Sequence, residues 1–209
     1  MKTNIFNICL PMLLLCGAIT SGCERGCEKD ENRIWEIFPD SETTAIKKVV
    51  DGLEFKFCLL NEAGEAATVF NEGENFAFYF SVTNKTNENF YFFPGFAYPE
   101  FIGNDFCKVY GSNDQDYGKP YTFRGYNKIG IAAYPFNADE TVVFEQPWVD
   151  SRDSIWRWEH GFYESTHQEF LEKGSYRTEF KYRFEFVRTN DAPTLYTDTL
   201  TFKINFKIQ

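Results

Sequence analysis

From Asp51 onward, hydrophobic and polar residues alternate with a period of two. Leu53, Phe55, Phe57 and Leu59 share one side of a strand, with Glu54 and Lys56 on the other. Phe76, Phe78, Phe80 and Val82 repeat the pattern after the turn-like stretch Asn71-Glu72-Gly73-Glu74. The longest run sets Tyr176, Thr178, Phe180, Tyr182, Phe184 and Phe186 against Arg177, Glu179, Lys181, Arg183 and Glu185. A final run sets Leu200, Phe202, Ile204, Phe206 and Ile208 against Thr201, Lys203, Asn205 and Lys207. Successive side chains of a strand point to opposite faces, so these runs predict antiparallel strands with one face on a core and one in water. Shorter candidates lie at Asn89–Phe93, Asp105–Tyr110 and Glu140–Glu145. About seven short strands and no amphipathic helix predict a β-sandwich. The one helical candidate is a short turn over Thr166–Glu172.

Two local features narrow the sandwich. In Leu171-Glu172-Lys173-Gly174-Ser175-Tyr176, a Gly turn runs directly into a Tyr that opens a long strand. This resembles the tyrosine corner of immunoglobulin-like sandwiches, in which the phenol bonds back to upstream backbone. Gly52-Leu53-Glu54-Phe55, Phe70 through Phe78, and Ser81-Val82-Thr83-Asn84 together resemble the opening strands of the intracellular proteinase inhibitor (BsuPI-like) family. That resemblance covers about residues 52 to 118 and implies an immunoglobulin-like fold. It also implies inhibition through an exposed loop, for which Pro94–Pro99 is the candidate. Fold does not carry function with it, so the inhibitor is the second of two functional readings.

The beginning of the chain speaks to location. Lys2 precedes an apolar stretch from Ile5 to Ile19, and Thr20-Ser21-Gly22 leads to Cys23. This is the layout of a secretory signal, and the apolar stretch is shorter than the ~20 residues of a spanning helix. Ser21-Gly22-Cys23 resembles the lipobox of bacterial lipoproteins; Thr20 departs from it, since leucine is usual there. The resemblance implies cleavage before Cys23, which would carry the lipid and become the new N-terminus. Cys27-Glu28-Lys29-Asp30-Glu31 then resembles the acidic surface signal of Bacteroidota lipoproteins. The expected organisation is a signal peptide over 1–22, a lipidated polar tether over 23–46, and an all-β immunoglobulin-like antiparallel sandwich with long loops over 47–209. The expected address is the outer membrane, held by lipid on Cys23, with the cell surface favoured over the periplasmic face.

Composition removes some partners. The chain has a net charge of −10, which becomes −11 on loss of Lys2 with the signal. Its longest basic run is Lys47-Lys48, which argues against nucleic acid, whose binding needs clustered cations. Four cysteines survive processing, namely Cys23, Cys27, Cys58 and Cys107. Secretion permits a Cys58–Cys107 disulfide, but nothing in the sequence sets their separation, and inert thiols are the expectation. His160 and His167 stand without a ligand-like partner, so neither a metal nor a cofactor is expected. Asn113-Asp114-Gln115-Asp116-Tyr117-Gly118 has part of a calcium-loop pattern without its terminal Glu; a hairpin turn explains it better. Asp153-Ser154-Ile155 and Asp198-Thr199-Leu200 resemble the Bacteroidota O-glycosylation triplet.

Aromatic residues make up 19% of the chain, and many fall in segments without periodicity. Trp156 and Trp158 lie two apart among charged neighbours, with Trp148 as a third wall. Flat rings on loops either stack on sugars and protein partners or build satellite cores. The reading is therefore a non-catalytic envelope module that binds a glycan or a protein, with Trp148, Trp156 and Trp158 as its candidate surface.

Overall fold

A computed structural model describes residues 32–92, 105–126, 134–152, 156–158, 161–189 and 192–209. The alternating runs fold into two sheets that face each other across their phenylalanines. One contains β2 (Ala45–Val50), β3 (Leu53–Leu60), β6 (Ala77–Asn84) and β12 (Thr141–Pro147), in the order β12-β6-β3-β2. The other contains β1 (Asn32–Ile37), β8 (Val109–Gly111), β9 (Asp116–Gly118), β15 (Gly174–Tyr182) and β18 (Thr199–Ile208), in the order β1-β18-β15-β8-β9. Ring centroids meet between the sheets at 5.2 Å for Phe57–Phe180, 5.4 Å for Phe80–Phe202 and 5.2 Å for Phe76–Phe206. The inward positions named in the four long runs are buried apart from half-buried Tyr182, as burial of one strand face requires.

Connectivity identifies the sandwich as immunoglobulin-like. The chain runs from β3 to its neighbour β6, crosses to β8 beside β15, and returns to β12 beside β6. It crosses again to β15 and closes with β18 as an antiparallel pair. Crossing between sheets with sequence-distant strands side by side is the Greek-key order of that fold. The short β5 (Val69–Phe70) leaves the first sheet to run parallel to the end of β18. The tyrosine corner is present: the Tyr176 hydroxyl donates to the Glu172 carbonyl oxygen at 2.8 Å.

Further strands elaborate this frame. β4 (Ala66–Ala67) pairs with β3, and β10 (Tyr121–Tyr126), β14 (Gly161–Ser165) and β13 (Trp156–Trp158) form a three-stranded sheet. β11 (Tyr134–Phe136), β7 (Phe90–Phe92), β16 (Glu185–Arg188) and β17 (Leu195–Tyr196) form a four-stranded sheet. Its inner residues Phe90, Phe92, Phe136 and Phe186 join the main core, where Phe92 approaches Phe184 at 6.5 Å. This cap sheet lies at the end of the sandwich where β6 and β15 finish and β18 begins. The tyrosine corner lies at the opposite end.

Several expectations are corrected. Residues 32–46 are not a tether: β1 pairs in parallel with β18, from Asn32 opposite Thr199 to Ile37 opposite Ile204, and β2 pairs with β3. The described fold therefore starts at Asn32 rather than residue 47. Short edge strands with one exposed face carry too few apolar residues to show a period. The run ending at Phe186 is two strands, because Phe184 and Thr197 exchange hydrogen bonds that turn the chain after Tyr182. Asp105–Tyr110 begins as a turn, with Cys107 at φ 65°, and only its end is strand. Thr166–Glu172 is irregular, with His167 at φ 53°.

Candidate functional site

Recessed surface lies between β1 and β2, as a hollow of about 440 Å³ beside Glu36, Lys47 and Lys48, and at the corner end, where two hollows flank Tyr176. The turn between β8 and β9 supplies Gln115 and Tyr117, and the connection from β14 to β15 supplies His167 through Glu172. Together with Tyr176, and over the Trp148 ring, they border a cleft of about 480 Å³. A neighbouring hollow of about 340 Å³ lies on the other side of Tyr176, between the Phe38-Pro39 turn and Gly111, Arg177 and Asn205.

The walls of the larger cleft are held by specific bonds. The Gln168 side-chain amide donates to the Lys119 carbonyl at 3.0 Å, and the His167 N–H donates to the Ser165 hydroxyl at 3.0 Å. Tyr117 meets Tyr176 edge-on at 5.4 Å. Burial, followed by the neighbouring Tyr117 phenol, pushes the Tyr176 phenol up to about 12, so it remains a neutral hydrogen-bond donor. On the sheet beside it, Arg177 pairs with Asp114 at 2.7 Å and stacks over the Tyr110 ring at 4.6 Å. The exposed residues bordering the cleft are Gln115, His167, Glu169, Phe170 and Glu172. Such a surface can stack and hydrogen-bond with a polar ligand.

The three tryptophans do not form one wall. Trp148 is a core residue at 1% exposure, with its indole N–H donating to the Glu169 carbonyl at 2.9 Å. Its ring stacks on Phe76 at 6.0 Å and lies almost wholly buried beneath the cleft, so it is withdrawn as an exposed wall of the candidate surface. The indole hydrogen bond lets so large a ring stay buried. Trp156 and Trp158 lie on β13, in register with Tyr163 and Gly161, at the edge of the three-stranded sheet. Their side chains lie outside the described residues, as do Cys23, His160, Asp153-Ser154-Ile155 and the Pro94–Pro99 loop. Of the other loop aromatics, Tyr121, Phe136 and Tyr163 are core.

Asp150, one of the charged residues between Trp148 and Trp156 in sequence, is buried. Its carboxylate accepts from the Arg152 guanidinium and N–H and from the Gln146 amide at 3.0 Å, while Arg152 also donates to Gln146 at 2.9 Å. Burial alone would raise this carboxyl, but the Arg152 and Gln146 bonds outweigh it and hold it below the usual range. The sequence signal was only a short Asp-x-Arg spacing, which does not specify burial.

Three other shifted groups, Cys58, Cys107 and Tyr121, are enclosed. Cys58 and Cys107 are free, buried thiols, the first pushed up to about 11 by desolvation and the second well above its ordinary value. Burial likewise raises the Tyr121 phenol. The 113–118 segment is a hairpin turn, in which Asp116 pairs with Lys108 at 2.8 Å and accepts from the Gly118 N–H. Among the described residues, no three His, Cys, Asp or Glu side chains stand together as metal ligands.

No family model and no curated protein matches the chain. A solved structure, the CooA pilin subunit from enterotoxigenic Escherichia coli, is similar at 11% identity, over 72% of this chain and 98% of that one, with a TM-score of 0.25.

Proposed function

We propose that this chain is a lipid-anchored, non-catalytic binding module of the bacterial cell envelope, whose ligand-facing surface is the corner end. The observation that carries the reading is a pair of clefts at the end opposite the start of β1. A module held by lipid on Cys23 would thus present its recessed, polar-aromatic surface on the side away from its anchor. Among the shifted groups, Tyr176 lines the cleft, but its hydroxyl is committed to the Glu172 carbonyl, while Cys107, Tyr121 and Asp150 sit in the core or in a structural ion pair; catalytic groups tend to combine such shifts with access to substrate. Glycan and protein remain the two ligand classes, and Bacteroidota remain the bacterial group suggested by the resemblance at the N-terminus.

The test is binding of the mature chain to a glycan array and capture of envelope proteins, with Phe170→Ala and His167→Ala as cleft variants. Both side chains are exposed, so their loss should weaken binding at least tenfold while leaving the unfolding midpoint unchanged. Binding unaffected by both variants would move the site elsewhere. Stoichiometric loss of activity of a protease mixed with the chain would instead support the inhibitor reading.

A further inference from the structure

We propose that the outer face of the cap sheet rests on the lipid headgroups of the membrane that holds Cys23. This rests on the lipid-anchored reading above. Eight residues lie between Cys23 and Asn32, so the anchor can stand at most about 30 Å from the start of β1. Asn32 lies opposite Thr199, three residues after β17 ends, and so at the cap end. The nine-residue β15 begins at the tyrosine corner and finishes at the cap end, so that corner stands about 30 Å farther from the anchored end.

The cap sheet is built for two environments. Phe90, Phe92, Phe136 and Phe186 bury its inner side. On its outer side Pro135, Tyr91 and Val187 stand in one row across three strands. Tyr91 is 44% exposed and Tyr196, on the neighbouring β17, is 46% exposed. The Arg183 guanidinium stacks over the Tyr196 ring at 4.6 Å. Tyrosines with an apolar body and a polar tip, beside an arginine, match the chemistry of the bilayer interface.

The experiment uses the lipidated full chain carrying Cys27→Ser, with a nitroxide at Tyr91→Cys, Tyr196→Cys, Pro135→Cys or Asn113→Cys, in phosphatidylethanolamine–phosphatidylglycerol vesicles. Cys58 and Cys107 are buried and stay unlabelled in the folded protein. Labels at 91, 135 and 196 should lose accessibility to a water-soluble nickel chelate several-fold relative to the same labels in the Cys23→Ala protein. The label at 113 should not change. Vesicle-bound protein whose labels at 91, 135 and 196 remain as accessible as in Cys23→Ala overturns the docking and leaves the lipid anchor intact. Wild type that fails to sediment with vesicles overturns the anchor and the docking with it. Spin–spin broadening at 91 without vesicles identifies a contact between copies and also overturns the docking.

Discussion

Trp35 meets Phe202 edge-on, with ring centroids 5.0 Å apart, and so ties the first described strand to the last. Around this contact Ile37 is buried, Glu36 pairs with Lys203 at 2.7 Å, and the Asn205 amide donates to the Ile37 carbonyl at 3.0 Å. Removing residues 24–46 should therefore uncover Phe202 and Ile204. Ile37 alone accounts for about 2 kcal/mol of burial. Urea unfolding of this deletion should show a large loss of stability or of cooperativity, whereas removing only 24–31 should leave the midpoint unchanged.

Tyr176→Phe removes the corner hydrogen bond to Glu172 while retaining the ring's stacking on Phe206, whose centroid lies 5.6 Å away. The expected cost is about 1 kcal/mol, read as a lower denaturant midpoint with an unchanged m-value and far-UV spectrum.

Thr178 is fully buried in β15, and its hydroxyl has no hydrogen-bond partner among the described residues. Thr178→Val keeps the shape and removes a desolvated oxygen. It should raise stability by about 1 kcal/mol, seen as a higher thermal midpoint.

The Asp150–Arg152 pair sets a pH dependence. Because the folded state holds the Asp150 carboxyl below its ordinary value, its contribution is present above the unfolded pKa. It is lost as pH falls below the usual carboxylate range and through the folded value. Asp150→Asn should lower stability at neutral pH by about 1–3 kcal/mol. It should also flatten the acid limb of stability against pH, as measured by denaturant melts from neutral pH downward.

The fold was most legible where one face of a strand is wholly buried. Phe55, Phe57, Phe78, Phe80, Phe202 and Phe206 stand out because polar residues separate them on the opposite face. The corner was legible because a Gly turn and a Tyr are local in sequence. β1 and β2 were hidden, since an edge strand commits few side chains to the core and Lys47, Lys48 and Val49 all face water. Trp148 was misread because its neighbours are charged. What decides its burial is Phe76, far away in sequence, and an acceptor at Glu169 supplied by the folded corner. The cleft was illegible for the same reason: Tyr117 and Phe170 come together only when the β8–β9 turn and the β14–β15 connection reach the same end.

The account turns on whether Cys23 carries lipid, and labelling cells with palmitate before fractionation tests this most directly. Wild type should incorporate the label and remain with the membrane pellet, and Cys23→Ala should do neither. Equal labelling and equal sedimentation of the two proteins would contradict the account.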